Sequence, residues 1–347
     1  MNAKFTLLLL ASAGVTGCGR QLAPALPPVA PASVAAQHTS AANLYVANRV
    51  GNSVTVYKPG TRTPLRTITD GVVQPLALRF DASGNLYVLD ESDVTVYAPG
   101  SSKVALTISA GMDGPEAIAL DSEGNLYVAN ESGSTVTEYQ AGTGSLLQTI
   151  TSGVRLPIAL AFDKTGKLYV LNLDLVYRKP SVTVYGPGSS RRLLRRIVDG
   201  VHEPEALALD GSDNLYVADQ AAPSGSLSVY SPGSAKISRK ITDGIDFPRA
   251  LAFDSSGNLY AGNAGSGSSG ESTVTVYAPG ASSPFRTLSK GIVDPYNIAF
   301  GSSGLLNVAN APRSGNGSVT EYASHGTKPE RTIAKGIEEP LSLAFGP

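Results

Sequence analysis

The side chains of this chain best placed for chemistry are acidic and stand beside prolines that recur along the sequence. Glu116, Glu203, Glu205, Asp294 and Glu339 each adjoin a Pro, and Arg249, Tyr296 and Asn297 occupy the same short stretches. Carboxylates converging on one point can hold a hard cation such as calcium through their oxygens; spread apart, they form a solvated acidic rim. Nucleophilic catalysis has little to draw on. A Ser-His-Asp arrangement would have to use His202 or His325, the only histidines after residue 42, and no G-x-S-x-G turn is present. Gly265–Gly270 matches G-x-G-x-x-G by letters but precedes a strand-like run, so no helix N-terminus is there to hold a phosphate. No catalytic residue and no metal-ligand set can be assigned from these residues. Calcium is the only cofactor the acidic positions suggest.

Composition narrows the class. The 347 residues include 37 Gly and 23 Pro, together about 17% against roughly 12% in average usage, and only 16% are charged. With 27 Lys+Arg against 28 Asp+Glu, the chain lacks the cation surplus a nucleic-acid binder needs. The single Cys excludes an internal disulfide framework and a multi-Cys zinc site. A hydrophobic content of 42% is ample for a folded core.

The N-terminus reads as an export signal. A basic start at Met1–Lys4 precedes an apolar stretch, Phe5–Val15, which is too short to span a bilayer and the right length for a signal-peptide core. Val15-Thr16-Gly17-Cys18 resembles the bacterial lipobox. That resemblance implies removal of residues 1–17, lipidation of Cys18 and anchoring to the cell envelope, at the outer membrane if the cell is Gram-negative. Residues 18–42 are rich in Pro, Ala and Ser, without apolar periodicity, and read as a semi-extended tether.

Everything from residue 43 to 347 is one unit repeated. A P-x-A-L-A-F-D run (strand A) opens at Pro75, Pro115, Pro157, Pro204, Pro248, Pro295 and Pro340. An N-L-Y-V-A-N run (B) begins at Leu44, Leu86, Leu126, Leu168, Leu215, Leu259 and Leu306. A T-V-T-V-Y run (C) ends at Tyr57, Tyr97, Tyr139, Tyr185, Tyr230, Tyr277 and Tyr322. A T-I-T-D-G run (D) ends at Gly71, Gly111, Gly153, Gly200, Gly244, Gly291 and Gly336. Each run is short, β-branched or aromatic, and bounded by turn residues, which predicts strands; no segment carries a capped helical period. Four strands per 40–47 residues predict blades of a β-propeller. The chain starts with B, C and D and ends on a lone A. The expected fold is therefore all-β: a seven-bladed propeller of four-stranded antiparallel blades, its ring closed 3+1 by the C-terminal strand. An unclosed array would leave open edges.

Residues present in every unit are expected to serve the fold. The Asx that ends strand B (Asn48, Asp90, Asn130, Asn172, Asp219, Asn263, Asn310) is expected to satisfy backbone groups at the B–C loop rather than to form a ring of metal ligands. Departures carry more information. The fifth position of strand A, expected to line a central channel, is Ala in six units and Arg79 in the other. Arg79 either contacts an anion there or pairs with a carboxylate of another blade. The D–A loops carry the acidic positions, and the B–C loops of the same face lengthen late in the chain. Asn172–Ser181 is the most distinctive, with an apolar, aromatic and basic tip at Leu175–Lys179.

The pattern L-Y-V-A-N, S-T-V-T-V-Y and P-x-x-L-A-x-D-x-x-G-N-L-Y-V-A-N resembles the YVTN-type and NHL-type propeller repeats over residues 43–347. The resemblance is specific for fold and not for function, since such propellers include scaffolds, sensors, lactonases and a peptide-lactone lyase. The lyase site is built on His and Glu with magnesium and cannot be assembled from the two histidines here. The expected function is a lipid-anchored, extracytoplasmic, non-enzymatic binding or protein-interaction scaffold. It would meet a protein, glycan or small molecule through its D–A and B–C loop face, and touch membrane only through the lipid. One alternative is a divalent-cation-dependent lactonase-like or sugar-acid hydrolase with its site at the channel mouth. Another is a structural cell-envelope protein.

Overall fold

A computed structural model describes residues 42–174, 179–221, 223–265, 271–312 and 315–347. The residues read as a signal segment and tether, up to residue 41 and including Cys18, the loop residues 175–178 and the glycine-rich 266–270 lie outside the described residues. Within them, 28 strands form seven four-stranded antiparallel sheets. The first is closed by the end of the chain. β1 (Asn43–Asn48) is flanked by β2 (Ser53–Tyr57) and by β28 (Pro340–Gly346), and β3 (Arg66–Ile68) is outermost. The remaining sheets take four successive strands each, from β4 (Ala77–Phe80) to β27 (Arg331–Ile333). This is the 3+1 closure expected from the strand count. Blade 1 is the closed sheet, and the others are numbered in chain order.

Burial explains the composition of each strand. B strands such as β9 (Leu126–Asn130) and β13 (Leu168–Asn172) are buried along their whole length, since both faces of a blade meet neighbouring blades. They read as continuous apolar runs rather than alternating ones. D strands such as β7 (Val104–Ile108) alternate between half-buried and exposed positions at the rim. The core is therefore not inside any blade. It is divided into seven clusters, one at each junction of successive blades. Ala299, Ala309, Val319 and Ile333 of blade 7 meet Leu44, Val46 and Leu343 of blade 1. Ala117, Ala119 and Tyr127 of blade 3 meet Leu160, Leu168 and Val170 of blade 4. The small residues at the third and fifth positions of strand A thus pack on the fourth-position Leu or Ile of the next blade. That is why Ala recurs there, whereas a channel-lining role was expected.

Two hydrogen-bond columns set the geometry. Each C-strand Tyr reaches out of its own blade and donates to a carbonyl at the end of the preceding blade's strand D, as in Tyr57 to Lys335 at 2.6 Å and Tyr139 to Ala110 at 2.7 Å. In the A–B turn, Asp81 accepts the Ser83 and Asn85 amides at 2.9 and 2.8 Å, so the recurrent D-x-x-G-N is a turn device. The junction of blades 3 and 4 holds one further clamp. Arg191, 7% exposed, enters from the C–D turn of blade 4. It donates to Tyr127 Oη at 3.0 Å, to the Gly166 carbonyl at 2.7 Å and to Asp121 at 3.4 Å, and lies 4.7 Å from the Tyr127 ring centroid. Arg191→Ala removes the cation shared by Asp121, Tyr127 and the Gly166 carbonyl and leaves a void against the Tyr127 and Phe162 rings. We expect it to cost about 3 kcal/mol in denaturant-unfolding stability, and the half-buried Arg195→Ala to cost much less.

Candidate functional site

The D–A loop delivers each strand A to the axis in one way. In six of the seven blades the residue before the Pro has a positive φ: Gln74, Gly114, Leu156, Phe247, Asp294 and Glu339, at 45° to 59°. Five of these residues, Gln74 excepted, turn their carbonyl toward the first amide of their own blade's B–C loop, as in Glu131 to Gly114 at 2.7 Å and Arg49 to Glu339 at 3.1 Å. Such backbone is costly for residues other than Gly, and the carbonyl bonds to the B–C loop help hold it. The next residue is a bulge. Pro115 pairs with Asn130 and Ala117 with Ala129, which leaves Glu116 as the extra residue on the inner strand. The same irregularity recurs at Pro157/Ala159, Pro204/Ala206, Pro248/Ala250 and Pro295/Asn297.

The residues following the seven prolines are Leu76, Glu116, Ile158, Glu205, Arg249, Tyr296 and Leu341, and the fold brings them to one place at the mouth of the axis. Leu76, Tyr296 and Leu341, from blades 2, 7 and 1, join one buried cluster. Tyr296 is also within electrostatic reach of Glu205, Arg249 and Glu116, which come from blades 5, 6 and 3. The ring is two-sided. Blades 7, 1 and 2 supply a buried apolar half, and blades 3, 5 and 6 supply ionisable side chains around the buried Ile158.

Burial dominates the electrostatics. It pushes the Glu116 carboxyl up to about 8; Glu131 and Glu91 add to the rise and Arg49 opposes it. Burial pushes Glu205 up to about 7, with Arg249 opposing and Glu203 reinforcing. Tyr296 is held well above its ordinary value for the same reason. Glu116 Oε2 and Tyr296 Oη are buried without a hydrogen-bond partner. Around them run two ion-pair networks. Arg249 donates to Asp294 at 2.7 Å. Arg49 lies 3.7 Å from Glu91 and 3.9 Å from Glu339. Chemically, the mouth offers two carboxyl groups that change protonation near neutral pH and an unengaged phenol against an apolar wall.

The structure separates the residues singled out from the sequence. Glu116, Glu205, Arg249 and Tyr296 meet in the axial ring. Asp294 and Glu339 stand behind it as partners of Arg249 and Arg49. Glu203 is exposed, and its amide and carbonyl serve the loop through Asp219 and Gln220. Asn297 belongs to ring closure: its Oδ1 accepts the Leu343 amide at 3.2 Å, and Ser342 Oγ accepts the Leu78 amide at 3.1 Å. These two polar side chains, where other blades carry Ala, tie the closing strand to both neighbours. Arg79 is 8% exposed on the inner strand β4 and donates to the Leu78 carbonyl at 2.7 Å; burial lowers its pKa to about 10. Among the described residues no three His, Cys, Asp or Glu side chains gather as a metal site. Two open surface depressions lie off the axis, one against Ser272, Lys290 and Val293, the other against Arg62, Glu321 and Glu330.

Leu76, Ile158, Leu341, Arg49, Glu91 and Glu131 were not singled out from the sequence. A signal for the first three exists: the position after the repeat Pro has no preferred residue type in an otherwise regular unit.

Residues 104–136 match the family model for strictosidine synthase-like proteins, N-terminal region. The matched segment is a small part of the chain, running from β7 into the C strand of blade 3, and contains Glu116 and Glu131. No curated protein matches the chain.

Proposed function

We propose that this protein is an exported, lipid-anchored propeller that binds a partner through its D–A/B–C loop face, with the axial ring as the recognition centre. The observation that carries this reading is the convergence of Glu116, Glu205 and Arg249 with the apolar Leu76, Tyr296 and Leu341 around one mouth. Such a mouth suits a protein, glycan or small molecule with one polar and one apolar edge. Lipidation at Cys18 fits the same picture. β1 enters the fold at Asn43, paired with Gly346, and reaches the loop face only at Asn48. A tether leading to Asn43 therefore joins the face opposite the ring, and the ring points away from the membrane. The YVTN/NHL-type repeat reading belongs to this proposal, as does a role without catalysis.

A second reading has its own support. Glu116 and Glu205, with pKa values near neutrality, have the protonation behaviour of an acid–base pair, and the matched family model is named for a synthase. A hydrolase or lyase acting at the mouth would use these two carboxyls. The test is capture from envelope extract on the purified propeller. The expected result is a partner retained by wild type, lost by at least tenfold in Glu205→Gln and Arg249→Ala, and retained by Lys164→Ala on the opposite face. Equal capture by all four proteins would sink the axial ring as the recognition centre. Turnover of a lactone panel abolished by Glu116→Gln would replace binding with catalysis.

A further inference from the structure

The Asx that ends strand B is hydrogen-bonded through its side chain in every blade except blade 2. In blade 1, Asn48 Oδ1 accepts the Glu338 amide at 3.1 Å, and its Nδ2 donates to Ser53 Oγ at 3.3 Å and Thr55 Oγ1 at 3.1 Å. Asn130, Asn172, Asn263 and Asn310 repeat both halves, with Nδ2 to Thr Oγ1 distances of 3.0–3.1 Å. One amide nitrogen thus serves several facing oxygens. Blade 5 carries Asp219 instead and compensates: its carboxylate accepts the His202, Glu203 and Ala221 amides at 2.5, 3.2 and 3.0 Å.

Blade 2 does not compensate. Asp90 replaces the Asn, Asp93 replaces the Ser or Thr, and Thr95 stays in place. Asp90 is 1% exposed and both its oxygens lack a hydrogen bond. The Val73 amide stands where the other blades' donor stands and faces the carboxylate without a bond of full geometry. Asp93 Oδ1 is also buried and unpartnered, and the buried Thr95 Oγ1 faces the Tyr97 phenol. The hairpin places these groups on one face. The Asp90 amide bonds the Asp93 carbonyl at 2.9 Å, Leu89 pairs with Val94 and Val88 with Thr95. Asp90 and Asp93 are therefore cross-strand partners with Thr95 on the diagonal. Three buried carboxylate oxygens and the Thr95 hydroxyl surround the place where every Asn blade puts a donor.

We propose that Asp90, Asp93 and Thr95 bind a calcium ion at the loop end of blade 2. A proton on Asp90, with the Thr95 hydroxyl as a second donor, would still leave the negative charge of Asp93 in place. A hard divalent cation neutralises both carboxylates and satisfies all four oxygens, and calcium accepts an irregular oxygen shell that magnesium does not. Tyr97 is within electrostatic reach of both Asp90 and Asp93, and of Asp70. Tyr97 Oη is engaged with the Asp70 carbonyl at 2.5 Å, which leaves it no proton to offer. This site is distinct from the axial ring and stands whether or not the ring binds a partner.

The test is calcium titration of the purified full-length protein after chelator treatment, read by calorimetry and by thermal unfolding. For a site of the 10⁻⁴–10⁻³ M class, 10 mM CaCl₂ raises the Tm by about 3–6 °C. Asp90→Asn restores the Asn arrangement of the other blades. It is expected to abolish both the heat and the shift while unfolding no lower than metal-free wild type. Asp93→Ser, the residue of blade 1, abolishes the response independently should the first variant fail to fold. Glu116→Gln/Glu205→Gln keeps it. Absence of heat and shift in wild type overturns the proposal, as does a calcium shift that survives in Asp90→Asn. A site that Asp90→Asn alters only through pH dependence, with calcium inert, identifies a proton and overturns it equally.

Discussion

Removal of residues 340–347 yields a chain that no longer unfolds as one cooperative ring. β28 is the inner strand of blade 1 and supplies its whole backbone pairing to β1, from Asn43 with Gly346 to Asn48 with Pro340. Without it, β1 presents an open edge at the centre of the molecule. The junctions of blade 1 with blades 7 and 2 then lose Leu343 and the bonds made by Asn297 and Ser342. Tyr45 also loses its bond to the Pro347 carbonyl at 2.6 Å. Two fully buried leucines, Leu341 and Leu343, are alone worth about 4–6 kcal/mol. That is a large part of the 5–15 kcal/mol that holds a typical domain. The expected outcome is a broad, early thermal transition and self-association by size-exclusion chromatography, because the exposed edge can pair with another chain. A wild-type melting curve from the truncated protein would remove the closure from any role in stability.

The second large effect is a fall in stability as pH rises across neutrality. Asp90 and Glu116 are pushed up to about 8 and Glu205 to about 7, in each case chiefly by burial. In the unfolded chain these groups release their protons near pH 4. Between that pH and their folded values the native state binds more protons than the unfolded state, so the unfolding free energy decreases with increasing pH. The contribution is most favourable below about pH 4 and is lost progressively up to about pH 8. Water reaches Glu116 and Glu205 from the mouth and moderates the effect. We expect about 3–5 kcal/mol between pH 5 and pH 9 in metal-free buffer, measured by urea unfolding at a series of pH values. The triple variant Asp90→Asn/Glu116→Gln/Glu205→Gln should flatten the profile. An unchanged slope in that variant would mean that other groups carry the pH dependence.

Arg79 and Asn297 show how far single residues could be read. Each breaks a column of alanines and was visible as an exception. Asn297 proved to serve closure, because its neighbour in space is the C-terminal strand, and only the closed ring brings the two together. Glu116 and Glu205 were visible as acids beside prolines, but as two of many. The bulge that turns them to the axis is present in both blades, with a positive φ before the Pro in blade 3 and without one in blade 5, and no composition signal carries it. Asp90 was legible only as a member of a conforming Asx column, because Asp and Asn are interchangeable as turn formers. Their difference appears when the oxygens facing them are buried.

The repeat alone determined the all-β class, the number of blades, the four strands in each and the identity of the closing strand. These are properties of local periodicity and of strand count. The tertiary structure decided which side chains meet. The axial ring joins residues that lie far apart in the chain, and their protonation follows from the burial of that mouth. An order of strands can be read along a line, whereas a site at the centre of a ring exists only once the line is closed.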